Sequence, residues 1–317
     1  MFFTICLSAA CLSGCSVATA ATFTVAESAL AKPLVLIAYG DMRFTDPTNT
    51  TATNPRVRRA LVSKIAEERP AAVFINGDIT YHGIAADYDV FRQESEPWRA
   101  RQLRVYPALG NHEFSGCFES ACLENWWTAF PVLRGRRWYS VALGSRVLAL
   151  ALDSDTSLLP GSEQDLWLEK ELTSLPSSVR VVLIVMHHPP VADIQTAQHV
   201  DHNPRPNEEA LAATLARLAP HSMAHFIVSA GHIHNYERLE RDGIEYLVSG
   251  GGGAHPYEVD RTAADSYQSG EFPNYHYVRL EVTSRLLTGQ MIRFSDSDAD
   301  TPGHWDVKDH FEISLPP

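Results

Sequence analysis

Five short apolar runs in this sequence each end in residues that bind metals or move protons. Gly40-Asp41 closes the first and Gly77-Asp78 the second. Gly110-Asn111-His112-Glu113 closes the third, His187-His188-Pro189 the fourth, and Gly231-His232-Ile233-His234 the fifth. In open α/β sheets ligands bind at the carboxyl ends of strands, so these ends would deliver carboxylates, an amide and imidazoles to one rim. A glycine ahead of a ligand lets the backbone turn sharply and come close to an ion. Mixed carboxylate, amide and imidazole donors suit iron, manganese or zinc better than calcium or magnesium. The 14 histidines are many for 317 residues, and histidine is both the commonest metal ligand and the proton carrier of neutral pH.

The elements that must position these groups alternate between strand and helix. Apolar, β-branched runs predict strands over residues 33–39, 72–76, 103–109, 179–186 and 226–230. Helical periodicity covers residues 56–69, which end before Pro70, and 87–98, 123–130 and 207–218. Residues 162–175 read as a helix with Ser162 as N-cap and Asp165 at its third position. Residues 138–143 and 146–152 read as a hairpin across Gly144-Ser145, and from Tyr236 onward the pattern is mostly strands and turns. This order predicts mixed α/β architecture with stacked sheets. The sequence has no repeat, low-complexity stretch or clear linker, so residues 21–317 are expected to form a single domain.

Taken in order, the motifs GD, GDxxY, GNHE, HHP and GHxH resemble those of the calcineurin-like metallophosphoesterase superfamily. Gly77-Asp78-Ile79-Thr80-Tyr81 and residues 231–238 are more specifically similar to purple acid phosphatases. The resemblance spans about residues 33–255. It implies a four-layer αββα sandwich with mixed sheets and a two-metal site. By position, Asp41 and His234 would bind the first metal, Asp78 would bridge both, and Asn111, His187 and His232 would bind the second. The family register, with one residue between ligand and proline, assigns the ligand role to His187 and leaves His188 lining the pocket. His112 would contact the phosphate and protonate the leaving oxygen, a role suited to a group whose pKa can sit near the working pH.

One departure changes the expected metal. Many superfamily members carry Asp-x-His in the first motif, whereas this chain has Asp41-Met42-Arg43 and lacks that imidazole. Tyr81 stands where purple acid phosphatases place a tyrosinate, and a hard phenolate favours Fe(III) at the first site. The expected cofactor is therefore two metal ions, Fe(III) with Fe, Zn or Mn. The alternative is a Mn or Zn pair beside a hydrogen-bonded tyrosine. The implied activity is hydrolysis of small phosphate esters by attack of a metal-bound hydroxide, phosphomonoesters first. A phosphodiesterase, for example of cyclic nucleotides, on the same core is the nearest alternative. A non-catalytic lipoprotein that binds metal or phosphate is the more distant one.

Other residues have weaker credentials. Arg43 could contact phosphate bidentately or form a surface ion pair. His82, His199 and His202 could line the cleft or be ordinary loop residues. Residues 250–253 are four glycines without a GxGxxG pattern and read as a tight turn near the site. Trp126 and Trp127 read as helix packing, with a substrate wall as the rival role, and Asp153 reads as structural.

Residues 1–20 carry no charge, and their apolar run, 2–12, is shorter than the about 20 residues a bilayer span needs. They have the length of a signal peptide without its positive start. Leu12-Ser13-Gly14-Cys15 looks like a bacterial lipoprotein box, which would anchor an exported protein to a membrane through a lipid on Cys15. Ordinary secretion, with cleavage after Ala20, and a buried N-terminal helix are the alternatives. Cys6 and Cys11 would leave with the signal, so Cys117 and Cys122 remain as a pair for an oxidising compartment, bonded or as two free thiols. The formal charge of −12, from 38 acidic and 26 basic residues, argues against nonspecific nucleic-acid binding.

Overall fold

The computed structural model describes residues 21–295 and 303–317. The lipoprotein-box cysteine, Cys15, lies outside the described residues. Two mixed sheets pack face to face with helices outside them, the layered α/β sandwich that the order of elements predicts. The first half of the chain contributes β1 (Phe23–Val25), β2 (Leu34–Tyr39), α1 (Pro55–Glu68), β3 (Ala72–Ile75), α2 (Ala85–Glu94), α3 (Glu96–Ala100), β4 (Val105–Pro107) and α4 (Glu119–Ala129). The second half contributes β5 (Tyr139–Leu143), β6 (Val147–Ala151), α5 (Glu163–Thr173), β7 (Val181–Val185), α6 (Pro206–Leu218) and β8 (His225–Ala230). It ends with β9 (Tyr236–Arg241), β10 (Ile244–Ser249), β11 (His276–Val282), β12 (Leu286–Ser295) and β13 (His304–Ser314).

The seven-stranded sheet runs β1-β5-β6-β7-β8-β10-β9, and the six-stranded sheet runs β13-β12-β11-β2-β3-β4. Period-two alternation divides the side chains of the middle strands. Val147, Ala149 and Ala151 of β6 and Val181, Leu183 and Val185 of β7 join the core that also holds β2, β3 and α1. Their neighbours Leu148, Leu150, Val182 and Ile184 face the other way, onto Leu168 and Leu172 of α5 and Leu211 and Leu215 of α6. Strands buried on both faces carry no polar residues until they end, which is why the chemistry sits at the ends.

Caps mark where helices begin. Asn54 accepts a hydrogen bond from the Val57 N–H ahead of α1, with Pro55 in the first turn. Ser162 accepts one from the Asp165 N–H ahead of α5, as its position predicts. Three expectations are corrected. The helix expected over 87–98 is two helices, because Pro97 lacks the N–H that would continue the ladder and crowds the preceding turn. The helix expected to start at 123 starts at Glu119, and the strand expected over 103–109 covers only Val105–Pro107.

Candidate metal centre

The loops after β2, β3, β7 and β8, and the 3-10 turn at Asn111–Phe114 after β4, converge on one rim. Asp41 (φ 62°), Asp78 (φ 50°) and His232 (φ 70°) adopt left-handed backbone conformations. Such conformations are uncommon for side-chain-bearing residues and cost about 1 kcal/mol or more each. The loops are packed too closely to relax. A Cβ on Gly231 would lie 2.5 Å from Asp41 Oδ2, and one on Gly110 2.5 Å from Asp78 Oδ1.

Two clusters of donors form. Asp41, Asp78 and His234 bring one ligand atom each within 4.8 Å of the others, and so do His187, His188 and His232. His187 joins the clusters. Its Nε2 lies 3.2 Å from Asp78 Oδ1, 2.9 Å from Asn111 Oδ1 and 3.2 Å from His232 Nδ1. Its Nδ1 donates to the Asn76 carbonyl at 2.9 Å. Nε2 thus turns its lone pair toward other acceptors, and only a proton or a cation can satisfy the group. Burial opposes a proton on His187, yet Asp78, Asp41 and the Asn76 carbonyl outweigh it and push the pKa up. Burial likewise opposes the charge on Asp78, but His187, His112 and Arg43 hold its carboxyl well below the usual range.

His234 repeats the pattern. Its Nδ1 donates to the His255 carbonyl at 3.0 Å. Its Nε2 is buried without a hydrogen-bond partner among the described residues, 3.5 Å from Asp41 Oδ1. Burial and four surrounding imidazoles hold His232 far below its ordinary pKa, in the neutral form that ligates metals. An orphaned buried imidazole nitrogen, converging acceptors and ring nitrogens tethered to carbonyls are what a metal pair requires of its ligands. The residues fit that cofactor.

His112 stands beside the clusters. Its backbone N–H donates to Asp78 Oδ1 at 3.0 Å, and its Nδ1 donates to the Tyr81 carbonyl at 2.6 Å. Nε2 is left facing Asp78 Oδ2 at 3.9 Å. Tyr81 is half-buried, its ring edge-on to His82 and 5.4 Å from that of His112. Arg43 donates to Asp78 Oδ2 and so belongs to the site rather than to the open surface. The His202 ring lies 4.5 Å from that of His232, and His199 stacks on Tyr257, whose hydroxyl pairs with His202 Nδ1 at 2.6 Å. Residues 250–253 pass directly beneath Asp41, with the Gly252 N–H donating to the Gly40 carbonyl. Asp153 is buried against Arg137, and Trp126 packs on Phe130 in the core.

Sequence reasoning missed several supports. The carboxylate of Glu113 accepts N–H bonds from Gly110, Asp78, Ile79 and Thr80, and so ties the second motif to the third. Its place at the end of GNHE was a usable signal. Asn76 and His255 act through carbonyl oxygens, which leave no trace in residue type. His188 lies closer to the donors than a pocket-lining residue need be, with Nδ1 on Ser154 Oγ at 2.8 Å.

The family model for calcineurin-like phosphoesterases matches residues 19–236. The chain belongs to this family. Among solved structures, this phosphoesterase is similar to a purple acid phosphatase from yellow lupin (Lupinus luteus) seeds, with TM-score 0.73 and 21% identity. That match covers 90% of this chain and 55% of the lupin chain, so the protein spans about half its relative's length. It is also similar to PhoD (TM-score 0.62, 12% identity, 90% of this chain and 70% of that one). A third is GAP50, the anchor in the inner membrane complex of Plasmodium (TM-score 0.60, 11% identity, 90% of this chain and 89% of that one). At such identities the likeness is one of fold. No described helix of the phosphoesterase is long and apolar enough to cross a membrane.

Proposed function

We propose that this phosphoesterase hydrolyses small phosphomonoesters at a two-metal site. The observation that carries the proposal is the meeting of six donor side chains and one tethered imidazole, His112, around Asp78. Asp41 and His234 would hold one ion, Asn111, His187 and His232 the other, and Asp78 would serve both. Tyr81 is proposed as a further ligand of the first ion, which is then Fe(III), with Fe, Zn or Mn as its neighbour. What supports this is the position of Tyr81, beside His112 and three residues after Asp78. A metal pair bound there would neutralise phosphoryl oxygens and make water nucleophilic near neutral pH. The chain's own contributions are orientation and a proton. The Tyr81 carbonyl fixes the Nδ1–H of His112, so Nε2 has a proton for the leaving oxygen only in the imidazolium, a form that burial opposes and the Asp78 carboxylate favours. The protein is further proposed to be exported and anchored by a lipid on Cys15.

One purification tests these statements together. Elemental analysis is expected to give about two metals per chain including iron, with a broad violet band that Tyr81→Phe removes. Two metals without iron or colour would overturn the tyrosinate. 4-Nitrophenyl phosphate is expected to turn over faster than bis(4-nitrophenyl) phosphate, which has the same leaving group. The reverse order would make the protein a phosphodiesterase, and loaded protein inert on both would make it a binding protein. The intact mass either carries acyl chains on Cys15 or rejects the anchor.

A further inference from the structure

We propose that Arg43 binds the phosphoryl group of the substrate, an inference that rests on the hydrolase reading above. Arg43 lies in the loop after β2, two residues beyond Asp41, with a left-handed φ of 50°. Both sides of its peptide are fixed. Its N–H donates to the Asp78 carbonyl at 3.0 Å. Its own carbonyl accepts from Arg58 Nη1 at 3.1 Å, and Arg58 is fully buried, held by Glu94 at 2.8 Å. The side chain is therefore aimed by buried structure.

The guanidinium reaches Asp78 Oδ2 through Nη2 at 3.2 Å and Nε at 3.4 Å. His112 Nε2 faces the same oxygen at 3.9 Å. The two side chains are 17% and 19% exposed, so both stand where the cleft opens. A carboxylate that serves two cations has less charge to offer a guanidinium. With Asp78 so engaged, the guanidinium would turn from Oδ2 to the phosphoryl group whose leaving oxygen meets His112. The planar fork of arginine matches two non-bridging phosphoryl oxygens. Its charge favours a dianionic monoester over a monoanionic diester, so Arg43 contributes to selectivity as well as affinity.

The probe is inorganic phosphate, titrated calorimetrically into metal-loaded wild type, Arg43→Met and Arg43→Lys. Arg43→Met is expected to weaken phosphate by about tenfold to a hundredfold at unchanged metal content. Arg43→Lys, which keeps the charge without the fork, is expected to fall between and remains informative if the methionine variant fails to fold. Unchanged phosphate affinity in both variants would overturn the proposal. So would a higher metal content in Arg43→Met, which would mean that the guanidinium fills a metal position. Calorimetry needs no turnover. Phosphate bound by wild type and lost in Arg43→Met, with no ester hydrolysed by either, would uphold Arg43 and overturn the hydrolase reading.

Discussion

His112 is tied at Nδ1 by the Tyr81 carbonyl while Nε2 stands 3.9 Å from Asp78 Oδ2, and the general-acid role proposed for it rests on that asymmetry. A general acid matters most when the leaving group is poor, because a good leaving group departs without a proton. His112→Ala is expected to slow alkyl phosphates by about a hundredfold or more, and 4-nitrophenyl phosphate much less. A uniform loss across leaving groups, read from kcat, would assign His112 to binding instead. The ligand candidates were legible in the sequence because each stands directly after a buried strand, where a polar residue contrasts with the apolar run. Their supports were not. Asn76 and His255 orient imidazoles through backbone oxygen, which every residue has. Arg43 was legible only as an oddity of the first motif, since its contact with Asp78 needs two loops to meet.

Among the elements, the loop that follows β4 has the most to hold in place. It carries Asn111, His112 and Glu113 and then enters α4 through a disulfide between Cys117 and Cys122, whose Cα atoms are 5.7 Å apart. The bonded pair sits against the Tyr81–Gly83 turn, with Cys117 Sγ 3.2 Å from the Gly83 carbonyl and Ser115 Oγ on the Tyr81 carbonyl at 3.1 Å. Closing so short a loop stabilises by about 2 kcal/mol in the chain-entropy model. The Cys117→Ser/Cys122→Ser double variant is expected to melt a few degrees lower with its metal content unchanged. Loss of metal as well would show that the bond holds the ligands themselves. Long amphipathic elements were readable from periodicity. β1 was not, because three residues carry no period and this strand is defined only by pairing with β5, far along the chain.

Across the whole molecule, burial of charge sets how stability responds to pH. Glu237 of β9 is fully buried, and one of its carboxylate oxygens lacks a hydrogen-bond partner among the described residues. Burial pushes its carboxyl up to about 8, against 4.5 when free. Between these values the unfolded chain has lost the proton that the folded chain retains. Stability is therefore whole below about pH 4.5 and falls as pH rises towards about 8, by up to about 1.4 kcal/mol per unit from this group. Glu237→Gln keeps the shape without the charge. In urea titrations it is expected to match wild type near pH 5 and exceed it at pH 8. Equal slopes for both proteins would refute the assignment. The stacked α/β class was readable from element order, but which strands share a sheet was not, because the C-terminal run could have closed on either sheet.

That closure governs how the chain can reach its fold. β2, which precedes Asp41, has β3 on one side and β11 on the other, with Leu36 opposite Leu280. The family match stops at residue 236, before β11 begins at His276. A nascent chain therefore presents the first strand of its site with a bare edge until residues 276–282 have been made. Bare edges invite pairing with other chains, and contacts between distant segments form slowly. Assembly of the candidate metal rim is then a late event, and a product truncated before His276 is expected to be a folding hazard rather than a smaller working unit.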